Sequence, residues 1–250
     1  MKAMILAAGL GTRLRPLTDD RPKALVTIAG RTLLEITLAR LRLFGVNEVI
    51  VNAHHFADMI VDYLEANQNF GMRIEVSRED VLLDTGGGLK NAAHFFLDSS
   101  GDSHESFIVH NVDVISTIDL QRMVRFHREQ SALATLAVQD RETSRYLLFD
   151  RNGLLCGRQA GRDGKRELVR PAEHSRPLAF SGIHVLSPKV FAGMAAEGAF
   201  SIITTYLQFA ARGEKIVAFR ANEYEWRDLG RPEGVVQAAR DMADGKLSTE

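Results

Sequence analysis

Leu6-Ala7-Ala8-Gly9-Leu10-Gly11-Thr12-Arg13-Leu14-Arg15-Pro16-Leu17-Thr18 decides how this chain is read, together with Pro22-Lys23 just beyond it. Lys2 to Ala8 is a short apolar run stopped by glycine, the pattern of a buried strand opening into a loop. Gly9 and Gly11 let the backbone come close to a phosphate chain and offer it N–H groups. Arg13 adds a fixed fork of donors, and Lys23 a mobile point charge. Taken alone, a Gly-x-Gly is as readily a tight turn between solvated cations. Two common phosphate motifs are excluded at this loop. A dinucleotide fingerprint needs glycine where Leu14 stands, and an acid at the end of the second strand, where the chain has Asn52-Ala53-His54. A P-loop needs Gly-Lys-Ser/Thr, which is absent.

Outward from the loop, Leu34, Leu38 and Leu41 recur at helical spacing and Gly45 closes that helix. Glu48 to Asn52 reads as a strand, Phe56 to Leu64 as an amphipathic helix, and Arg73 to Ser77 as a strand. The glycine run Gly86 to Gly88 is expected as a loop leading into a helix from Leu89 to Phe96. Phe107 to Val112 makes a fourth strand, ending at Asp113. This alternation predicts an α/β fold with a mainly parallel, doubly wound, Rossmann-like sheet. Later elements are expected as a helix over 120–127, strands over 132–138, 146–149, 154–156, 178–186 and 215–220, and helices over 202–211 and 233–242. The stretch 140–176, rich in Arg, Gly and Asp, is the least regular. The whole chain, 1–250, reads as one domain, with 1–115 binding nucleotide and 116–250 closing over a second substrate.

Bulk properties narrow the partners. The chain has 250 residues, 45% hydrophobic and 25% charged, with a net charge of -1. That balance points to neither nucleic acid nor an anionic membrane. Gly9, Gly11 and Arg13 interrupt the apolar start too early for a signal peptide, and no apolar run is long enough for a bilayer. A cytoplasmic protein is the expectation. Cys156, the single cysteine, cannot form an internal disulfide and reads as a packing residue. His54-His55 has no third ligand and reads as surface loop.

The opening motif closely resembles the signature of the sugar-1-phosphate nucleotidyltransferases. The resemblance continues in Leu83-Asp84-Thr85-Gly86-Gly87-Gly88, in Asp113, in Phe180-Ser181-Gly182-Ile183 and in Trp226-Arg227-Asp228-Leu229-Gly230, in order along almost the whole chain. It implies the nucleotide-diphospho-sugar transferase fold and a reaction joining a nucleoside triphosphate to a sugar 1-phosphate, with pyrophosphate released. It further implies that Gly11, Thr12 and Arg13 hold the β- and γ-phosphates and that Lys23 faces the α-phosphate. Asp113 and Asp228 would bind Mg2+. Gly9 would bind the nucleotide too, Leu6, Ala8, Thr85, Gly86 and Gly87 would contact the base, and Asn111 and Gly182 the sugar. Bland readings stand beside these: Asp113 as a turn cap, Asp228 as the partner of Arg227 or Arg231, and Lys23 as a solvated side chain.

The Asp-Thr-Gly-Gly-Gly run resembles most the N-acetylmuramate-1-phosphate uridylyltransferases of cell-wall recycling, which implies UTP as the nucleotide. Mannose-1-phosphate guanylyltransferases and glucose-1-phosphate thymidylyltransferases are the alternatives. The chain departs from the family pattern at His110-Asn111-Val112-Asp113, where glycine often precedes the aspartate, and at Ala24, where proline is frequent. Arg166 to Pro171 also differs from the sugar-gripping run of the thymidylyltransferases. A non-catalytic nucleotide-sensing subunit is the reading from another class. The retention of Arg13, Lys23, Asp113 and Asp228 together argues against it.

Overall fold

The computed structural model describes residues 1–97, 105–245 and 247. In chain order the elements are β1 (Lys2–Leu6), β2 (Thr27–Ile28), β3 (Arg31–Thr32), α1 (Leu33–Leu43), β4 (Glu48–Ala53), α2 (Ala57–Ala66), β5 (Arg73–Arg78), α3 (Asp84–Asn91), α4 (Ala93–Phe96), β6 (Phe107–Asn111) and β7 (Val114–Ser116). The second half continues with α5 (Leu120–Gln130), β8 (Ala134–Gln139), β9 (Arg145–Phe149), β10 (Leu155–Ala160), β11 (Arg166–Leu168), β12 (Arg176–Leu186), α6 (Val190–Gly193), α7 (Ile202–Ala211), β13 (Ile216–Arg220), β14 (Trp226–Asp228) and α8 (Pro232–Ala243). No helix among the described residues is long and apolar enough to cross a membrane.

One sheet organises the fold, in the order β11-β10-β9-β12-β6-β1-β4-β5, with β8 joining at β12 and carrying β13. The first-half strands β6, β1, β4 and β5 are parallel, and β13 is parallel to β8. Antiparallel pairing enters with the second half, at β12 against β6, β8 and β9 and at the β9-β10-β11 meander. The result is a mixed sheet whose β6-β1-β4-β5 side is the parallel, Rossmann-like part that the alternating pattern predicts.

Helices cover both faces because the strands bury both. On β1, Ala3 and Ile5 point into one apolar cluster with Leu38 of α1, Ile60 of α2, Met123 of α5 and Ala238 of α8. Met4 and Leu6 point into the other, with Leu89 of α3, Phe96 of α4 and Tyr206 of α7. Period-2 alternation across a doubly covered sheet yields near-continuous apolar strands. Caps set the helix starts: the Thr32 hydroxyl accepts from Glu35 N–H at 3.0 Å, and Asp119 accepts from Arg122 N–H at 2.9 Å.

Two local expectations are corrected. The glycine run is not a loop before a helix, because Gly86, Gly87 and Gly88 lie inside α3 and are buried. The reason is close approach. A Cβ on Gly86 would stand 2.4 Å from the Phe200 ring, and one on Gly87 2.3 Å from Gly198 O. The glycines let α3 lie against the 198–200 segment despite their poor helix propensity. The second correction concerns the short strands β7, β11 and β14, which the sequence pattern did not show. Each is three residues long, too short for alternation to register.

Candidate active site

The loop after β1 is tied down from its first residue. Ala7 N–H donates to Asn52 Oδ1 at 2.7 Å, and Asn52 in turn donates to Glu79 Oε1 at 2.7 Å. Glu79 Oε2 accepts from Leu83 N–H at 3.0 Å. This buried chain links the ends of β1 and β4 to the start of α3. It explains why Asn52, one residue before the end of β4, stands where a dinucleotide site would carry an acid: it braces the loop rather than reading a ribose. Further along, Gly11 adopts φ +65°, and its carbonyl accepts from Leu14 N–H at 2.8 Å and from the Thr18 hydroxyl at 2.9 Å. A left-handed residue packed against Thr18 leaves no room for a side chain: a Cβ there would sit 2.9 Å from the Thr18 methyl. The short 3-10 turn Thr12–Leu14 follows and carries Arg13.

Lys23 passes under this loop. A Cβ on Gly9 would lie 3.8 Å from Lys23 Nζ, and Nζ is 2.7 Å from Asp113 Oδ2, both side chains being largely buried. Asp113 stands just past the C-terminal end of β6, the neighbour of β1. That is the edge at which open α/β sheets bind ligands. Asp228 reaches the same place from the far end of the chain. β14 pairs antiparallel with β7, setting Asp228 opposite Val114, and Leu229 N–H donates to Asp113 O at 2.8 Å. The bend that follows turns Gly230 N–H back to Asp228 Oδ1 at 2.8 Å.

Gly230 marks the centre of the constellation. A Cβ placed on it would lie 2.9 Å from Asp228 Oδ1, 3.0 Å from an Arg13 guanidinium nitrogen and 3.4 Å from Asp113 Oδ2. Arg13, Lys23, Asp113 and Asp228, far apart in sequence, thus converge. No group of three or more His, Cys, Asp or Glu side chains suited to a metal occurs among the described residues. Two convergent carboxylates with open space before them still suit a hard divalent cation whose other ligands are phosphate oxygens and water.

From this end a cleft of about 760 Å³ runs along the second half of the sheet, from Arg13, Asp113 and Asp228 to Arg145, Tyr146 and Arg158. Asn111 and Gly182 lie in its floor and meet there: a Cβ on Gly182, which has φ +73°, would be 2.9 Å from Asn111 Nδ2. The register breaks between Phe180 and His184, so β12 pairs with β9 below the break and with β6 above it. This bulge opens the floor of the cleft.

The expected base contacts fare unevenly in hydrogen bonding. Leu6 O accepts from Val112 N–H at 3.1 Å, and the N–H groups of Gly86 and Gly87 both turn to Phe200 O, at 2.8 and 3.3 Å. The Thr85 hydroxyl accepts from Ile202 N–H at 3.0 Å, at the start of α7. These groups hold α3 and α7 together. Ala8 is buried, and Gly9 is exposed beside Lys23. Asp84, at φ +57°, is exposed and accepts from Thr85 N–H at 2.6 Å.

Arg141 was not anticipated. Its guanidinium lies 3.6 Å from the centre of the Trp226 ring, donates to Phe180 O at 2.8 Å, and buries an Nε with no hydrogen-bond partner. Trp226 is itself fixed, donating to Ser181 O at 2.8 Å. No sequence spacing could reveal this stack, because 85 residues separate its members. Of the other singled-out side chains, Cys156 packs in the core, while His54 is half-buried and His55 exposed. Cys156 is buried, and burial pushes its thiol up to about 11. His54 Nδ1 is 2.7 Å from Glu79 O.

A family model described as nucleotidyl transferase matches residues 2–245. The chain belongs to the nucleotidyl transferase family. It is 34% identical to the N-acetylmuramate alpha-1-phosphate uridylyltransferase of Caulobacter vibrioides, over 97% of each chain. It is 30% identical to the UTP–glucose-1-phosphate uridylyltransferase of Synechocystis, over 100% of this chain and 64% of that protein. Its fold matches a putative glucose-1-phosphate thymidylyltransferase from Bacillus anthracis, with a TM-score of 0.77 and 20% identity, over 97% and 95% of the two chains.

Proposed function

We propose that this nucleotidyltransferase joins UTP to N-acetylmuramate 1-phosphate, with magnesium, and releases pyrophosphate. The observation that carries the reading is the convergence of Arg13, Lys23, Asp113 and Asp228 at one end of a cleft large enough for a sugar. The full-length likeness to a uridylyltransferase for that sugar phosphate supports the choice of substrates.

The nucleophile is a phosphate oxygen of the sugar 1-phosphate, already ionised at neutral pH, so no general base is needed. It bonds to the α-phosphorus of UTP. The bond from that phosphorus to the bridging oxygen breaks, and the electron pair leaves with pyrophosphate. The obstacle is bringing two polyanions into line, so catalysis is positioning and charge neutralisation. Arg13 and the amides of Gly11 and Thr12 would hold the β- and γ-phosphates. Lys23 would face the α-phosphate, and Arg141 the phosphate of the sugar. Asp113 and Asp228 would hold magnesium, which when bound neutralises phosphate charge and fixes the two phosphates in line. The base would lie between Leu6 and Ala8 on one side and Thr85 to Gly87 on the other. Asn111 and Gly182 would bound the sugar. Such a protein, with its soluble substrates, fits the cytoplasm and the recycling of cell-wall sugars.

The test is a pyrophosphate-release screen that crosses UTP, dTTP, CTP, GTP and ATP with several sugar 1-phosphates. Release with UTP and N-acetylmuramate 1-phosphate is the expected result. Release confined to GTP with mannose 1-phosphate would replace both substrates.

A further inference from the structure

We infer that the cleft holds a second anion site, formed by Arg145 and Lys165, that reads a carboxylate on the sugar. The inference rests on the proposed transfer to a sugar 1-phosphate and adds to it the residues that select an acidic sugar.

The far wall of the cleft is the meander of β9, β10 and β11. Directly opposed residues of antiparallel strands project to the same face. Arg145 is paired with Ala160, and Arg158 with Leu147 on one side and Glu167 on the other. Lys165 immediately precedes Arg166, the partner of Gln159. Arg145, Leu147, Arg158, Ala160, Lys165 and Glu167 all line the cleft. This wall therefore presents three cations and one carboxylate. Glu167 is committed, since Arg158 Nε donates to its Oε2 at 2.7 Å. Among the described residues, the side chains of Arg145 and Lys165 make no hydrogen bond or ion pair. Arg145 is paired with Ala160, whose small side chain lines the cleft with both cations.

A neutral sugar gives these charges nothing to do, and the phosphate is served elsewhere. Arg13 and Lys23 stand at the Asp113 end, and Arg141 beside Asp228. β9 and β6 take the same edge of β12 in succession, Tyr146 opposite Ala179 and His110 opposite Ile183, so Arg145 is displaced along β12 from the β6 pairing. β10, which carries Arg158, and β11, which Lys165 precedes, stand one and two positions further out, about 5 and 10 Å beyond β9. One anion cannot occupy both ends, whereas a sugar carrying a phosphate and a carboxylate on well-separated carbons spans them. A guanidinium fork suits a planar carboxylate, and a neighbouring ammonium adds charge.

The experiment compares N-acetylmuramate 1-phosphate with N-acetylglucosamine 1-phosphate, which lacks only the lactyl ether and its carboxylate. Calorimetric binding and kcat/KM for pyrophosphate release are measured for the wild type, Arg145→Gln and Lys165→Gln. The wild type should favour the acidic sugar in both measurements. Each variant should weaken its binding and lower its kcat/KM by about tenfold, the worth of one charge-assisted hydrogen bond, and leave the neutral sugar unchanged. Both side chains are exposed, so unchanged melting temperatures should show that the variants fold. Equal binding of the two sugars by the wild type, equal losses for both in the variants, or binding of neither overturns the inference. Turnover of the neutral sugar alone would overturn this inference and leave nucleotidyl transfer standing. Absence of pyrophosphate release with every sugar phosphate, while the acidic one still binds through Arg145 and Lys165, would overturn the reaction and keep the anion site.

Discussion

At the scale of single residues, charge at the Gly230 end of the cleft makes the sharpest demands. Arg13 has no role in the apolar core, and the Lys23 ammonium is paired with Asp113 at 2.7 Å. Removing either should leave the fold intact and weaken stabilisation of the transition-state charge. Such donors are often worth roughly 3 kcal/mol, about a hundredfold in rate. Arg13→Ala and Lys23→Ala should therefore lose about two orders of magnitude in kcat with native circular dichroism. Arg13→Ala, at an exposed position, should keep its melting temperature, whereas Lys23→Ala, which leaves the largely buried Asp113 carboxylate unpaired, should melt lower. Near-normal turnover in either variant would remove the phosphate role. Asp113 and Asp228 lead to a companion expectation: excess chelator should abolish turnover, and added magnesium should restore it. Full activity in chelator would dismiss the carboxylate pair as a cation site. These four residues could be named from the sequence because each sits in a local motif. Arg141 could not, because its place depends on the Trp226 ring and the Phe180 carbonyl, which only folding brings to it.

Elements show where pattern reading succeeds and where it stops. The helix closed by Gly45 and the strands β1, β4 and β6 were legible because apolar spacing and glycine punctuation agree over five or more residues. The glycine run of α3 was misread because propensity favours a loop, and tertiary packing against Phe200 and Gly198 prevails. Gly86→Ala should accordingly destabilise the protein, by about 1–3 kcal/mol of overpacking strain. Denaturant melts would check this, and an unchanged midpoint would show that the 198–200 segment yields freely. The sheet and α5 also carry buried histidines. Burial pushes His110 down to about 4, His127 to about 4 and His184 to about 3. Between those values and about 6.5 the unfolded chain binds more protons than the folded one. Stability is then fully present above about pH 6.5 and is lost as the pH falls toward 4, by up to about 1.4 kcal/mol per pH unit per histidine. Melting curves from pH 7 to pH 5 should show the decline. His127→Gln, with a side chain able to keep the bond to Thr135, should make it shallower. A flat profile over that range would mean that these rings are not held neutral.

Across the whole molecule, the site is an edge made by both halves of the chain. β1 and β6 supply the phosphate loop and Asp113, and the β7-β14 ribbon returns Asp228 to them from beyond residue 220. The same assembly bears on the base. Glu79, the buried carboxylate closest in sequence to the glycine run, has both oxygens engaged, by Asn52 and by Leu83 N–H. Asp84 is turned to its own neighbour's N–H and exposed. Neither is presented as a free acceptor for the N1–H and amino group of guanine. Recruiting Glu79 would cut the loop after β1 from its brace, and recruiting Asp84 would need rotation out of its turn. Uracil makes no such demand, since backbone groups can pair with its edge. A site that pairs one base edge rejects a mismatched one because its buried polar groups are left unpaired. UTP should therefore exceed GTP and ATP by at least about tenfold in kcat/KM, with one sugar phosphate held saturating. Asp84→Asn should leave that order unchanged. A clear preference for GTP that Asp84→Asn abolishes would show that this carboxylate turns inward and reads guanine.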